Sequence, residues 1–298
     1  MSIVHLKSIK NCLNYGINEL KLTSQSPELD GEILLAAAIN KPKEYLYTYP
    51  EKYPTYLQIK KFRQMINRRK KYEPIAYIIG YKYFYGLKFK VNKHTLIPRP
   101  ETELMVEKTL NILNNISHGS TILIDIGSGT GCIPIAIAKN IQNRSLKIFA
   151  SDISAQALKT AKKNAKKNKA DKKIKFLKGN LLELAMEIIN NTRGGNIIIT
   201  ANLPYLPSSL YKTTLPNVIL YEPKLALDGG KDGLKYYRAL FKQIKKIQSD
   251  FLSFYILCEI DPSQKNSIPA LVKKYFPSAK IETKKDLAGL ARLAIIEH

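Results

Sequence analysis

The chain has 298 residues, 45% of them hydrophobic, with 3 Cys and no Trp. A chain of this length fits about two domains and buries enough apolar surface to need neither disulfides nor a structural metal. Net charge is +24, no run of ~18 apolar residues is present, and the first twenty residues lack an apolar signal core; a cytoplasmic protein without membrane attachment is expected.

Cys12, Cys132 and Cys258 form no CxxC pair, and histidines 5, 94, 118 and 298 have no ligand spacing. No metal site is expected, and a reducing compartment is. The positive charge comes from 40 Lys and 8 Arg, and it is spread along the chain, with ten lysines between 159 and 178. Few of these are the planar arginine forks suited to bidentate phosphate contacts. A lysine-rich composition on solvated helix faces is one reading of the charge; a weak RNA or ribosome contact is the other.

In chain order, residues 1–73 read as a small helical domain. Ser26 is placed as an N-cap with Pro27 at the first helical position, and Leu29, Ile33, Leu34 and Ala37 form an apolar stripe. Leu57, Phe62, Met65 and Ile66 mark a further helix that ends in Arg68-Arg69-Lys70-Lys71, where cations favour a helix C-terminus. Residues 74–98 turn to Tyr, Phe, Ile and Val around Gly86 and predict a linking β-hairpin. Residues 99–298 form the second domain. Strands are expected at 121–127, 146–152, 173–179, 196–202, 251–260 and 290–298, and helices at 131–142, 154–169, 181–191 and 233–248. This alternation is βαβ rhythm and predicts an α/β fold with a mainly parallel, doubly wound sheet.

Asp125-Ile126-Gly127-Ser128-Gly129-Thr130-Gly131 follows the first of those strands and opens a helix. Glycines there let the backbone turn tightly and approach a ligand at the carboxyl end of the sheet. Cys132 breaks the dinucleotide pattern GxGxxG, and Gly131-Cys132-Ile133 is not the GK[ST] of a phosphate loop. The loop is instead similar to the glycine motif of Rossmann-like S-adenosyl-L-methionine (SAM) methyltransferases. That resemblance implies that Asp125, Gly127, Ser128, Gly129, Thr130 and Gly131 meet the methionine part of the cofactor. It implies that Asp152, ending the second strand, holds the ribose hydroxyls. Asn180 and Leu181 then meet the adenine, with Asn180 standing where an Asp is usual.

Asn202-Leu203-Pro204-Tyr205 ends the fourth strand. It resembles the (Asn/Asp)-Pro-Pro-(Tyr/Phe) motif of enzymes that methylate planar nitrogens, with Leu203 replacing the usual first Pro. The chemistry explains the residue types. An amide nitrogen is a poor nucleophile, because its lone pair is delocalised into the carbonyl. The Asn202 side-chain oxygen and the backbone carbonyl of 203 can accept from its NH2 and turn its face toward a sulfonium methyl. Pro204 stiffens the turn and Tyr205 offers a stacking face. Asn202, Pro204 and Tyr205 are therefore the candidate catalytic residues. Asn202, Leu203, Pro204 and Tyr205 are the candidate substrate contacts, and Asn202 is counted with the cofactor residues as well. No strong general base is required.

Other segments separate an amide acceptor from an adenine. Residues 74–80, 83–87 and 96–103 (Leu-Ile-Pro-Arg-Pro-Glu-Thr-Glu), 221–234 and 286–292 resemble, in order, the PrmC/HemK family of release-factor N5-glutamine methyltransferases. One departure is Ile260-Asp261 after Glu259, where that family tends to have Gly. The resemblance implies a class I SAM-dependent methyltransferase domain with a seven-stranded, mostly parallel sheet. It implies SAM as methyl donor and the Gln of the Gly-Gly-Gln motif in class I peptide chain release factors as acceptor. The N-terminal helices would help dock the release factor, the segment 99–103 would lie over the site, and a monomer is expected. The alternative is an adenine-N6 methyltransferase acting on RNA or DNA.

Overall fold

The computed structural model describes residues 7–116, 118–141, 145–192, 194–247 and 251–298. His5 and the last residues of the helices expected at 131–142 and 233–248 lie outside them. The chain forms two compact units, residues 1–81 with 215–221 and residues 82–214 with 222–298.

The first unit is helical: α1 (Ile9–Leu20), α2 (Pro27–Ile39), α3 (Glu44–Thr48), α4 (Tyr56–Arg69) and α5 (Ile75–Ile79). Local signals set its boundaries. Ser8 caps α1 by accepting from the Asn11 N–H, Thr55 and Gln58 form a reciprocal capping box on α4, and Asn40 ends α2 in the left-handed conformation. Ser26 is the α2 N-cap with Pro27 next, as expected, although its side chain makes no capping bond. The expected stripe holds only in part: Leu34 is buried, Ile33 and Ala37 are half-buried and Leu29 is 45% exposed, while Gly31, Leu35 and Ala38 are buried beside Leu34. Gly31 sits against Leu13 and Ile17 of α1, so close approach of the two helices selects the buried face. Phe62, Met65 and Ile66 are buried with Leu20, Leu34 and Leu35, whereas Leu57 is exposed.

The segment expected to be wholly hairpin is in part helical. Pro74 starts α5, and Gly80, at φ +83°, stops it. The hairpin proper is β1 (Tyr81–Phe84) and β2 (Leu87–Lys90). Tyr85 and Gly86, both with positive φ, make its two-residue turn.

The second unit continues with α6 (Glu103–Asn115), β3 (Thr121–Ile126), α7 (Cys132–Asn140), β4 (Leu146–Asp152), α8 (Ala155–Lys167), β5 (Ile174–Lys178), α9 (Met186–Asn190), β6 (Asn196–Ala201) and α10 (Ser208–Thr213). A short α11 (Pro216–Ile219) lies in the segment grouped with the first unit. Then follow α12 (Lys235–Ile244), β7 (Ser253–Glu259), α13 (Ser267–Tyr275), β8 (Lys280–Lys285) and β9 (Ala291–Glu297). The seven-stranded sheet has the order β5-β4-β3-β6-β7-β9-β8. β3 to β7 pair in parallel, and β9 is antiparallel to both neighbours.

Two-residue periodicity divides the core between the sheet's faces. Ile122, Ile124, Ile126, Ile197 and Ile199 pack with Tyr237, Phe241 and Val272 of α12 and α13. Leu123, Ile148 and Ile198 pack on the other face with Val106, Ile135 and Ala165 of α6, α7 and α8. β8 escapes the sequence reading because Lys-Ile-Glu-Thr-Lys-Lys is an edge strand with no buried residue. The helix expected over 181–191 shrinks to α9. Leu181 takes a left-handed backbone conformation (φ +54°), and the Leu182 N–H donates to Gln243 Oε1, so a continuous helix cannot start there.

Candidate active site

The sheet order reverses around β3, with β4 on one side and β6 on the other. The crevice beyond the carboxyl ends of these strands is where an open α/β sheet binds its ligand. A cavity of about 290 Å³ lies there. Of the residues singled out from the sequence, Gly127, Ser128, Gly129, Thr130, Asp152, Asn180, Leu181, Asn202, Leu203 and Pro204 line it. Asp125, Gly131 and Tyr205 do not; they stand behind the wall.

The glycine-loop wall is built mainly from neighbouring strand ends. Gly127, Gly129 and Gly131 all have positive φ, and a Cβ at 127 would come 3.2 Å from Leu203 Cδ2. The Ser128 N–H donates to Ser151 O at 2.9 Å, and the Gly129 N–H to Asp152 Oδ2 at 2.8 Å. Asp152 Oδ1 takes the Ser154 N–H at 2.8 Å. Burial raises the Asp152 pKa, and these two N–H groups partly offset it. A ligand diol at this carboxylate would find further acceptor capacity on both oxygens. Asn164 of α8 supports the loop from below, donating to Thr130 O at 2.9 Å and Lys90 O at 3.0 Å.

Asp125 is fully buried. Its Oδ1 accepts from Thr200 Oγ1 at 2.8 Å, on the neighbouring strand in register, while Oδ2 has no partner. Burial pushes its pKa up to about 7; the hydroxyls of Ser128 and Thr200 favour the charged form. The Ser128 side chain does so without closing a hydrogen bond, because Ser128 Oγ is also unpartnered. The buried Ser128 hydroxyl, left open where the glycine loop lines the cavity, fits a polar group held there. Asn180 lines the opposite end of this wall. Its Nδ2 donates to Glu183 Oε1 at 3.2 Å, which leaves Oδ1 as the acceptor. Glu183 was not singled out from the sequence, and it restores an acid next to the position where an Asp is usual.

The Asn202–Tyr205 turn is held by chain far away in sequence. Asn202 Nδ2 donates to Thr102 Oγ1 at 3.2 Å; Oδ1 has no partner among the described residues. Leu203 replaces a proline, yet its side chain is buried in the core and leaves the turn in place. Stiffness comes from elsewhere. A Cβ at Gly229 would fall 2.6 Å from Pro204 O, and one at Gly233 would fall 2.1 Å from Tyr205 O. Gln264 Nε2 donates to Tyr205 O at 3.1 Å, and Leu206 and Asp228 form a β-bridge. The Asp228–Leu234 segment thus clamps the turn. Tyr205 Oη donates to Glu259 Oε1 at 3.3 Å. Burial first, and then Glu259, raises the Tyr205 pKa.

Sequence reasoning missed four supports. Glu222 is 4% exposed and accepts from the Ile97 N–H at 3.1 Å and Arg99 Nη2 at 2.5 Å, which fixes the 97–99 segment against the cavity. Thr102 lies in the 96–103 segment and Glu259 just before Ile260-Asp261, and neither position by itself signals a role at the site. Tyr236 lines the cavity from the start of α12. In sequence each is an ordinary polar or aromatic residue; only the packing brings it to the site. Among the described residues no group of His, Cys, Asp and Glu is placed to hold a metal, and no helix is long and apolar enough to cross a membrane.

A mainly parallel sheet with this order, a glycine loop after β3, a carboxylate ending β4 and an Asn-x-Pro-Tyr turn after β6 define a class I SAM-dependent methyltransferase. The comparisons agree. Residues 11–80 match the PrmC N-terminal domain, and residues 117–252 match a methyltransferase domain. The release factor glutamine methyltransferase of Dictyoglomus turgidum is 34% identical over 98% of this chain and 99% of its own length. That of Clostridium botulinum is 33% identical, covering 96% of this chain and 97% of the relative. The chain belongs to the release factor glutamine methyltransferase family. Among solved structures, the hMettl16 catalytic domain in complex with MAT2A 3'UTR hairpin 6 superposes with a TM-score of 0.54 at 14% identity, covering 80% of each chain; it shares the fold.

Proposed function

We propose that this protein transfers a methyl group from SAM to the side-chain amide nitrogen of the glutamine in the Gly-Gly-Gln motif of class I release factors, and so supports translation termination in the cytoplasm. The observation that carries the reading is the Asn202 carboxamide. Its NH2 is tied to Thr102 and its oxygen is left open at the cavity wall. An oxygen so placed accepts one N–H of an incoming primary amide, and the Leu203 carbonyl is the second acceptor. Two acceptors fix the plane of the amide and present its face, which is the orientation a weak nucleophile needs. Pro204 holds that geometry, and Tyr205 supports the turn from behind through Glu259 rather than from the cavity wall.

SAM supplies the sulfonium methyl. Asp152 would hold its ribose hydroxyls, the glycine loop with Ser128 its methionine end, and Asn180 with Leu181 its adenine. The unpartnered Ser128 Oγ and the open acceptors of Asp152 fit that assignment. The nitrogen becomes more acidic on methylation, so water can take its proton and no side chain need act as a strong base.

The test is incubation of purified protein with methyl-labelled SAM and an unmodified class I release factor. Label on the Gly-Gly-Gln peptide supports the reading; none there, with a control enzyme active on the same substrate, overturns it.

A further inference from the structure

Helix α8 turns a row of polar side chains toward the hairpin. Thr160 and Asn164 are buried, as are Ala157, Ala161 and Ala165 of the same helix. Buried polar side chains need partners, and these come from β2 and the residues after it. Asn92 Nδ2 donates to Thr160 Oγ1 at 2.9 Å. The Lys90 N–H donates to Asn164 Oδ1 at 2.7 Å, and Asn164 Nδ2 donates to Lys90 O at 3.0 Å. Asn168, at the C-cap of α8, donates from Nδ2 to Lys88 O at 3.4 Å. Four residues along a helix advance about 6 Å, and two along a strand about 6.6 Å. The spacings match, so the outer edge of this two-stranded hairpin pairs with a helix face instead of a third strand. The middle rung reaches further than the other two. Asn164 Nδ2 also donates to Thr130 O of the glycine loop, at 2.9 Å.

We propose that Asn164 is a positioning residue that presets the glycine loop for SAM and ties it to the hairpin. The proposal rests on the reading of that loop as the cofactor wall. The peptide between Thr130 and Gly131 is held at both ends: its N–H donates to Ser128 O at 2.7 Å, and its carbonyl accepts from Asn164. A peptide plane fixed on both sides resists rotation. The loop also lies close to α8 at this point, where a Cβ on Gly131 would fall 3.2 Å from Ala161 Cβ. Ser128, Gly129 and Thr130 therefore line the cavity in one shape before a ligand arrives, and less conformational freedom is lost on binding. The position calls for a carboxamide. Its oxygen takes the Lys90 N–H while its NH2 serves two carbonyls. A carboxylate of the same shape would keep the first bond and lose both others.

The tether is tested on four variants. Asn164→Asp keeps the shape and loses both donated bonds; Asn164→Ala loses all three and adds neither bulk nor charge, which keeps the test open if the aspartate does not fold. Thr160→Val and Asn168→Ala break the outer rungs, which do not reach the loop. All four should lower the denaturation midpoint. SAM affinity, measured by calorimetry on the folded proteins, should separate them: weaker by about 5- to 10-fold in the Asn164 variants and within about twofold of the parent in the other two. A second readout needs no cofactor. Amide hydrogen exchange of a peptide covering 127–131, followed by mass spectrometry, should be faster by at least about threefold in the Asn164 variants and unchanged in Thr160→Val and Asn168→Ala. Unchanged SAM affinity or unchanged loop exchange on replacing Asn164 overturns the proposal. Equal weakening of SAM by all four also overturns it, because the row would then act through stability alone. A parent that binds no SAM overturns the reading of the loop as the cofactor wall instead, and the exchange data still decide the tether.

Discussion

The two walls of the cavity are built in different ways. The wall proposed to hold the cofactor comes largely from the ends of adjacent parallel strands: β3 runs into the glycine loop, β4 ends in Asp152, and the two are joined by Ser128 N to Ser151 O and Gly129 N to Asp152 Oδ2. The wall proposed to grip the acceptor is a four-residue turn held by Thr102, Gly229, Gly233, Glu259 and Gln264, which lie far from it in sequence. The first wall depends on local backbone geometry. The second depends on tertiary packing, so its function should be more sensitive to changes that touch no ligand.

The sharpest separation of the walls comes from Asn202→Ala. It should reduce methyl transfer by about 10²- to 10³-fold, with SAM affinity within a few-fold of the parent, because it removes orientation of the acceptor. Steady-state kinetics alongside calorimetry would show this; a loss confined to SAM affinity would put Asn202 on the wrong wall. Gly233→Ala comes next. Its Cβ would sit 2.1 Å from Tyr205 O at a φ of +73°, so the clamp must open. A loss of about 2–4 kcal/mol of stability is expected, read as a lower denaturation midpoint. An unchanged midpoint would mean that the turn is not held there. Asp152→Ala should do the converse of Asn202→Ala, weakening SAM by about 10- to 100-fold while kcat at saturating SAM falls far less.

The smallest effect concerns pH. Burial lifts Glu259 from its ordinary 4.5 to about 7, against the help of the Thr102 and Tyr205 hydroxyls and of Arg292; Glu101 adds to the rise. Tyr237 and Cys132, also within its field, are neutral over this range, with burial raising both their pKa values. The folded state thus binds the Glu259 proton more tightly than the unfolded chain. That contribution to stability is full below about pH 4.5 and is lost as pH rises through about 7. Glu259→Gln removes it, so its melting temperature should fall less than the parent's between about pH 5 and about pH 8. An equal fall in both proteins would place the titration elsewhere, with Asp125 the other acid raised to about 7.

The same contrast explains what could be read from the sequence. The glycine loop, Asp152 and the Asn202–Tyr205 turn were legible because their residue types are dictated by local backbone needs and by the ligand chemistry they face. The short apolar runs within 121–127 and 196–202 likewise announced the central strands, which are buried at every position. Thr102, Glu222 and Glu259 were not legible as site residues, since a buried Thr or Glu acquires its role only from partners over a hundred or dozens of positions away, as Ile97 with Glu222 and Tyr205 with Glu259 illustrate. The stop at Leu181 was hidden for a related reason. Its left-handed backbone is held by Ser151 Oγ on Leu181 O at 3.0 Å and by packing in the core, against the helical preference of Leu-Leu-Glu-Leu-Ala.

The most direct test is fragment mass spectrometry of a class I release factor after reaction with SAM, using the parent enzyme and Asn202→Ala in parallel. A single methyl on the side chain of the Gly-Gly-Gln glutamine, present with the parent and nearly absent with Asn202→Ala, is the predicted result. A methyl on any other residue, or equal modification by both proteins, would contradict the claim that this turn grips the acceptor amide.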